Sequence, residues 1–196
     1  MKQFFRILTA SLALSILFMM IPFQNSCEEL YKDVFRIHII PNSDSAADQS
    51  MKLSVRDAVL KEISPLYRGI NSKEDAVRIT EENRDKILKA ASSAVRRSRA
   101  DYPVKADIRN LYFNTRYYDN FTMPAGYYDA LQLTIGEGRG QNFWCVMYPT
   151  LCVGAATRSK MKDDLSEGEY EVVTSDDLVF RFKIVEYYES ICALFR

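Results

Sequence analysis

The spacing of apolar side chains changes near residue 100 of this 196-residue chain. Before that point, apolar residues recur at helical spacing over residues 51–63 and 77–95. After it, they alternate with polar residues over 104–109 and 131–135. Helical spacing puts an apolar stripe on one side of a helix, and alternation puts an apolar face on one side of a strand. The pattern predicts an α+β fold: a single domain with a mainly antiparallel sheet and helices packed on one face.

Turn formers and helix caps divide the first half of the chain. Residues 34–40 alternate apolar with polar side chains, which predicts a half-buried strand with His38 partly exposed on it. The polar residues 42–45 offer N-caps for a helix that Pro65 would end. A capping-box pattern at the start of residues 72–99 predicts one longer helix there.

Further strands are predicted in the second half of the chain. Residues 104–109 and 131–135 are expected to form a hairpin, with the proline-containing turn 123–126 between them. Residues 143–148 are apolar throughout, which is typical of a central strand covered on both faces. The last part of the chain predicts a strand near Glu171 and then a helix.

The first 26 residues have the three regions of a secretory signal. Lys2 and Arg6 give a positive start, residues 7–21 form an apolar run without formal charge, Pro22 breaks the run, and residues 24–26 are polar. As a helix, the apolar run would be about 22 Å long, which is short of a hydrocarbon core of about 30 Å. This length favours a signal peptide.

A retained membrane anchor is the alternative for the same segment. If the uncharged window is extended to Cys27, it is long enough to span a bilayer with its polar end among the headgroups. No small-x-small cleavage site precedes Cys27. We therefore predict an exported protein with an apolar export helix. Residues 1–26 would be a signal peptide or an N-terminal anchor, and residues 30–196 a single α+β domain.

Composition and charge argue against several classes of function. The chain carries 26 basic and 26 acidic residues, so it has no strong field to attract nucleic acid, and we predict no nucleic-acid partner. Its one histidine, His38, cannot supply a histidine-rich catalytic zinc site or serve several catalytic roles. Residues 136–140 are rich in glycine but lack the GK[ST] ending of a phosphate loop, so they predict a turn between strands. We predict no catalytic residues, no cofactor and no metal, and therefore a protein that is not an enzyme.

Two cysteines lie close together in the sequence. Cys145 and Cys152 enclose a short loop that contains Pro149. In an exported protein they could form a disulfide, which would stabilise the fold by about 2.5 kcal/mol on the chain-entropy model. Two free buried thiols are the alternative.

Three segments carry a family resemblance. Residues 38–45 read HIIPNSDS and lead into a helix, residues 123–127 read MPAGY, and residues 133–145 read LTIGEGRGQNFWC, with another cysteine at position 152. In this order they resemble the strand–turn–helix opening, the hairpin turn and the glycine–tryptophan–cysteine block of the stage II sporulation protein R family.

The resemblance implies a protein of an endospore-forming bacterium. Members of that family are made in the forespore and exported into the space between the forespore and mother-cell membranes. There they switch on a membrane-embedded aspartic protease of the mother cell, which processes the precursor of sigma factor E. The resemblance therefore implies that this chain is a signal, that its partner performs the chemistry, and that its N-terminal segment contacts a membrane.

Polar turns on a rigid scaffold are common recognition sites, so we predict partner contacts there. The predicted residues lie in the Asn-Ser-Asp turn, on the helix after it and in the glycine turn: Asn42, Ser43, Asp44, Asp48, Gln49, Arg56, Asp57, Glu137, Gly138 and Arg139. A purely structural role is the alternative, because residues 42–44 could cap the helix and Arg56 could pair with an internal acid.

Two other classes of function remain open from the sequence. One is an exported hydrolase that acts on envelope material with a pair of carboxylates, because acidic residues are plentiful. The other is a structural protein whose uncleaved N-terminal helix is its main functional element.

Overall fold

The computed structural model describes residues 2–118, 121–149 and 165–174. Its helices are α1 (Lys2–Asp33), α2 (Ala46–Ile63), α3 (Lys73–Glu82), α4 (Arg84–Arg97) and α5 (Glu167–Thr174). Its strands are β1 (Phe35–Ile40), β2 (Val104–Phe113), β3 (Arg116–Tyr117), β4 (Thr122–Met123), β5 (Gly126–Ile135) and β6 (Phe143–Tyr148).

The chain divides into two compact units. The sheet unit comprises the described parts of residues 32–112 and 127–164, and it contains α2, α3, α4 and the four-stranded sheet. The terminal unit comprises the described parts of residues 1–31, 113–126 and 165–196, and it contains most of α1 together with β3, β4 and α5. In this division the segment at the tip of the β2–β5 hairpin groups with the N-terminal helix. The predicted organisation, with residues 1–26 as a signal peptide or an anchor and residues 30–196 as one domain, stays a prediction.

The four-stranded sheet has the order β2-β5-β1-β6. β1 pairs parallel to β5, with Ile37 opposite Leu131, and antiparallel to β6, with Ile37 opposite Cys145. β2 and β5 are antiparallel, since Pro103, just before β2, accepts a hydrogen bond from the amide of Gly136, just after β5. The prediction of a mixed helix-and-sheet fold with a mainly antiparallel sheet is confirmed, and the structure adds one parallel pair.

Helices α2 and α3 lie on one face of this sheet, and α4 packs against α2. Lys73 of α3 forms an ion pair with Asp129, which lies opposite Phe35 in the register. The guanidinium of Arg56 in α2 lies 5.2 Å from the ring centre of Phe143, which lies opposite Ile39. Because paired residues point to the same side of a sheet, both contacts are on the face that carries Phe35 and Ile39.

β1 is buried on both faces, so the prediction of a half-buried strand is wrong. Arg36 is fully buried and its guanidinium lies 4.9 Å from the ring centre of Tyr128. His38 is only 5% exposed, and its ring stacks on Trp144 with the centroids 3.6 Å apart. These aromatic partners come from the strands on either side of β1. The alternation of apolar and polar residues does not reveal which strands pair. β6, predicted to be central, lies at one end of the described sheet.

Helix caps follow the predicted rules, but the second predicted helix is two helices. Ser45 caps α2 by accepting a hydrogen bond from the amide of Asp48, and Ser72 caps α3 in the same way. The break between α3 and α4 is at Asn83, whose backbone φ and ψ are −107° and 16°. Its side-chain amide donates to the carbonyl of Ile79 at 2.9 Å. Asparagine competes for backbone groups in this way, which interrupts a helix.

Two elements of the terminal unit also differ from the sequence predictions. The connection between β2 and β5 is longer than a simple turn and carries the short antiparallel pair β3–β4. The segment around Glu171 is helix α5 and not a strand. Its first turn is capped by Ser166 and Glu169. The amide of Ser166 donates to the carboxylate of Glu169, and the amide of Glu169 donates to the hydroxyl of Ser166. This reciprocal cap favours a helix over a strand.

Helix α1 runs without interruption from Lys2 to Asp33, past the break predicted at residue 22. Phe23, Cys27 and Leu30 are buried towards its C-terminal end. Among the described residues, no helix combines the length and the apolar character needed to cross a membrane. The role of residues 1–26 in export stays a prediction.

A close contact in the terminal unit predicts a strong effect of a small substitution. The hydroxyl of Tyr31 donates to the carbonyl of Ala125 at 2.6 Å, and a Cβ atom on Gly126 would lie 2.5 Å from Cζ of the same ring. We expect Gly126→Ala to lower the free energy of unfolding by about 1–3 kcal/mol, because the ring must move. Urea unfolding measures this loss of stability. Tyr31→Phe is the comparison: it keeps the ring, removes the hydrogen bond to Ala125 and should cost about 1 kcal/mol. A wild-type midpoint for Gly126→Ala would contradict the contact.

Candidate functional site

Two turns meet at one edge of the four-stranded sheet. The polar turn (residues 41–45) follows β1, and the glycine turn (residues 136–140) follows β5. Because β1 and β5 are parallel neighbours, their carboxyl ends lie at the same edge. In sheets with parallel strands this edge is a common position for binding sites.

Hydrogen bonds join the two turns directly. The carbonyl of Asn42 accepts from the amide of Arg139 at 3.2 Å, and the carbonyl of Pro41 accepts from the amide of Gly140 at 3.1 Å. The side-chain carbonyl of Asn42 accepts from the amide of Glu137 at 3.0 Å. The backbone of the glycine turn is therefore held by the backbone and one side chain of the polar turn.

The glycines allow this close approach. Gly136 and Gly138 have φ values of +60° and +64°, which side chains of L-residues rarely adopt. A Cβ atom on Gly140 would lie 2.5 Å from the carbonyl carbon of Ser43 and nearer still to its oxygen. The predicted glycine turn is confirmed, and its glycines serve contact between two backbones.

A buried carboxylate fixes the polar turn to helix α2. Asp48 is 6% exposed, and its carboxylate accepts from the hydroxyl of Ser43 at 2.6 Å and from the side-chain amide of Asn42 at 3.0 Å. The hydrogen bond from Ser43 holds the pKa of Asp48 below its usual range, and burial acts in the opposite direction. Negative charge is also favoured in the first turn of a helix. Asp48 is thus a structural anion in the described site.

Gln49 extends the same network. Its side-chain amide donates to the carbonyl of Ser43 at 3.0 Å and to the carboxylate of Asp44 at 3.4 Å. The carboxylate of Asp44 also accepts from the amide of Gln141. The side-chain groups of the polar turn are therefore used largely in internal hydrogen bonds, which agrees with the structural alternative for residues 42–44.

Two ion pairs of the site are exposed, one on the glycine turn and one on α2. Glu137 and Arg139 form an ion pair at 3.1 Å, and their side chains are 64% and 77% exposed. A second ion pair, at 2.7 Å, joins Arg56 and Asp57 on α2, two helical turns after Asp48. Their side chains are 29% and 66% exposed. Such exposed pairs contribute little to stability. Their charged groups face solvent, as does Asp44 on the polar turn.

The structure brings most of the predicted partner-binding residues into one continuous network. These are Asn42, Ser43, Asp44, Asp48, Gln49, Glu137, Gly138 and Arg139. Arg56 and Asp57 lie apart on α2 and pair with each other, so the alternative of an ion pair for Arg56 is what the structure shows. Their contact with a partner stays a prediction.

Sequence reasoning missed Lys52. This residue is on the inward face of α2 and is 7% exposed, and its Nζ donates to the carbonyl of Gln141 at 2.8 Å. Burial lowers the pKa of Lys52, and the charge of Asp44 acts in the opposite direction. Its position, one helical turn after Asp48 and beside the buried Met51, was the available signal.

Cys27 in the terminal unit is a free buried thiol, and burial raises its pKa to about 12. Cys152 lies outside the described residues, so the Cys145–Cys152 pairing stays a prediction.

Three described carboxyl groups have lowered pKa values, which does not suit a general acid. A general acid at neutral pH needs a raised pKa. The pKa values of Asp48 and Asp75 are lowered by hydrogen bonds from Ser43 and Arg78 respectively. Burial alone would raise the pKa of Asp129, but hydrogen bonds from Lys73 and Asn110 lower it overall. In the same described ranges, no group of three or more histidine, cysteine or acidic side chains is placed to hold a metal ion.

Comparison with known proteins first places the chain among sporulation proteins. A family model described as stage II sporulation protein R matches residues 31–158. The chain belongs to the stage II sporulation protein R family. It is 35% identical over 146 residues to the stage II sporulation protein R of Bacillus subtilis (strain 168). The aligned part covers 72% of this chain and 65% of that relative, slightly less than two thirds of the relative's length. No solved structure matches.

Proposed function

We propose that this chain is an exported sporulation signal. In this proposal it activates a membrane-embedded aspartic protease of the mother cell, which then processes the precursor of sigma factor E. Family membership supports the role in sporulation. The observation that carries the signalling role is the pair of joined turns: a rigid edge whose inward groups are hydrogen-bonded and whose charges at Glu137 and Arg139 face solvent.

The proposed place of action is the space between the forespore and mother-cell membranes. The positive start and apolar run over residues 2–21 support export. A disulfide between Cys145 and Cys152, which stays a prediction, would suit the oxidising compartment of this proposal. Exposed apolar side chains on α1, including Phe4, Phe5 and Ile7, support contact of the N-terminal segment with a membrane.

In this proposal the partner reads the glycine turn. A recognition surface needs groups that are both fixed and accessible. The backbone of Arg139 is fixed by its hydrogen bond to Asn42, while its side chain is the most exposed of the paired charges in the site. Glu137 is fixed through its amide in the same way. Charge complementarity at such a site gives specificity and a faster encounter.

Charge reversal tests this proposal in a reconstituted system. The full chain is added to membranes that contain the candidate protease, and conversion of the sigma factor E precursor is followed. We expect Arg139→Glu to slow conversion about tenfold, which corresponds to about 1.4 kcal/mol of lost binding. Its free energy of unfolding should stay within about 0.5 kcal/mol of wild type, because the side chain is exposed.

The matched control is Arg84→Glu on α4. Arg84, like Arg139, is an arginine with a solvent-exposed side chain in an ion pair, here with Asp107 at 2.8 Å, but it lies outside the two turns. It should convert the precursor at the wild-type rate. No conversion by the wild-type chain would refute the signalling role, and equal loss in both variants would refute the assignment to the glycine turn.

A further inference from the structure

Lys52 has an unusual environment for a lysine. Its side chain is buried on α2, and its ammonium group donates to two neutral oxygens, the carbonyl of Gln141 and the side-chain carbonyl of Gln49. Within the described residues it forms no direct ion pair. Lysine is rarely buried without a carboxylate partner, because the charge loses its hydration. A purely stabilising position would favour an apolar side chain here.

The hydrogen bonds of Lys52 close a ring. Lys52 donates to Gln49, Gln49 donates to Asp44, the amide of Gln141 donates to the same Asp44 carboxylate, and the carbonyl of Gln141 accepts from Lys52. The ring therefore joins α2, the polar turn and the residue that follows the glycine turn. Both backbone groups of Gln141 are used in it.

The ring holds the far end of the glycine turn. The near end, at Glu137 and Arg139, is held by Asn42. Without the bond from Lys52, the carbonyl of Gln141 would lose its side-chain donor, and Asp44 would lose the support of a neighbouring positive charge. The far end would then be held by the hydrogen bonds from the amide of Gly140 to Pro41 and from the amide of Gln141 to Asp44, without the link to α2 through Lys52.

We propose that Lys52 is a positioning residue for recognition by the partner. It fixes the orientation of the glycine turn, and thereby of the exposed Glu137–Arg139 pair, without itself contacting the partner. This inference rests on the proposed function, because it concerns the same surface. The buried ammonium group of Lys52 would thus hold the Glu137–Arg139 pair in one orientation.

The test combines local dynamics with signalling. In Lys52→Met, which keeps the length of the side chain and removes the donors, we expect amide hydrogen exchange at Arg139, Gly140 and Gln141 to become about tenfold faster. Exchange in the core of α4 should stay unchanged. Conversion of the precursor in the reconstituted system should fall about tenfold. Lys52→Arg, which retains the charge and the donors, should restore a substantial part of the conversion.

The control and the outcomes separate this inference from the proposed function. Lys61→Met makes the same substitution at an exposed position of α2 and should change neither exchange nor conversion. If Lys52→Met speeds exchange in the glycine turn but converts the precursor at the wild-type rate, the positioning role is wrong and the signalling role stands. If exchange in α4 rises equally, the residue is a general stabiliser and the inference also fails. If the wild-type chain gives no conversion, the proposed function fails, and this inference fails with it.

Discussion

Gly140→Ala is expected to separate the two turns and to cost about 2–3 kcal/mol of folding free energy. The added methyl group would lie against the backbone carbonyl of Ser43, which cannot rotate away as a long side chain can. Either the polar turn or the glycine turn must move, and the hydrogen bond from Gly140 to Pro41 is lost with that movement. Chemical unfolding followed by the fluorescence of Trp144, the one tryptophan of the chain, measures the loss.

Gly69→Ala is the matched control for this variant. Gly69 has a φ of +80° and nothing within 4 Å of an added Cβ atom, so its substitution tests backbone strain without a clash. We expect it to cost about 1 kcal/mol, and to leave conversion of the precursor unchanged. If Gly140→Ala is no more destabilising than Gly69→Ala, then the two turns are not in the close contact described here.

Asp48→Asn is expected to have the second large effect, about 2–3 kcal/mol at neutral pH. The amide keeps the size of the carboxylate, but it replaces an acceptor of two strong hydrogen bonds, from Ser43 and Asn42, with a weaker and partly donating group. It also removes a negative charge from the first turn of α2. Asp57→Asn, on the exposed side of the same helix, should change stability by less than about 0.5 kcal/mol.

The pH dependence of stability identifies the contribution of Asp48. Its pKa is lower in the folded chain than in the unfolded chain, so the unfolded chain binds the proton more readily in acid. The stabilisation is therefore complete above the unfolded pKa of about 3.9, and is lost as the pH falls through the lower folded pKa. We expect the gap in unfolding free energy between wild type and Asp48→Asn to narrow over that acidic range. A constant gap from pH 7 down to pH 2 would contradict this role.

Local rules predicted the elements that depend on neighbouring residues. Turn formers and caps act within a few residues. They predicted β1, α2, a cap in the polar turn, the cap at Ser72 and the glycine turn. Asn42 and Asp48 were singled out for partner contact, which stays a prediction, and the structure shows that much of their hydrogen bonding is internal.

Long-range packing decided what the sequence did not reveal. The parallel pairing of β1 with β5 depends on residues far apart in the chain, so the burial of His38 and Arg36 between neighbouring strands had no local signal. Lys52 looked like a surface lysine on an amphipathic helix, since its partner Gln141 is distant in sequence. In α5, a reciprocal cap outweighed the local preference for a strand.

The polar turn and the glycine turn are brought together only after β1 has paired with β5 during folding. Asn42 and the amide it accepts from at Glu137 are 95 residues apart. Closing so long a loop costs entropy before any contact repays it, and such contacts tend to form late in folding. Neither a short peptide copied from one turn nor a chain whose second half has yet to emerge contains the joined surface. In the proposed function, the chain can therefore act only after β1 has paired with β5.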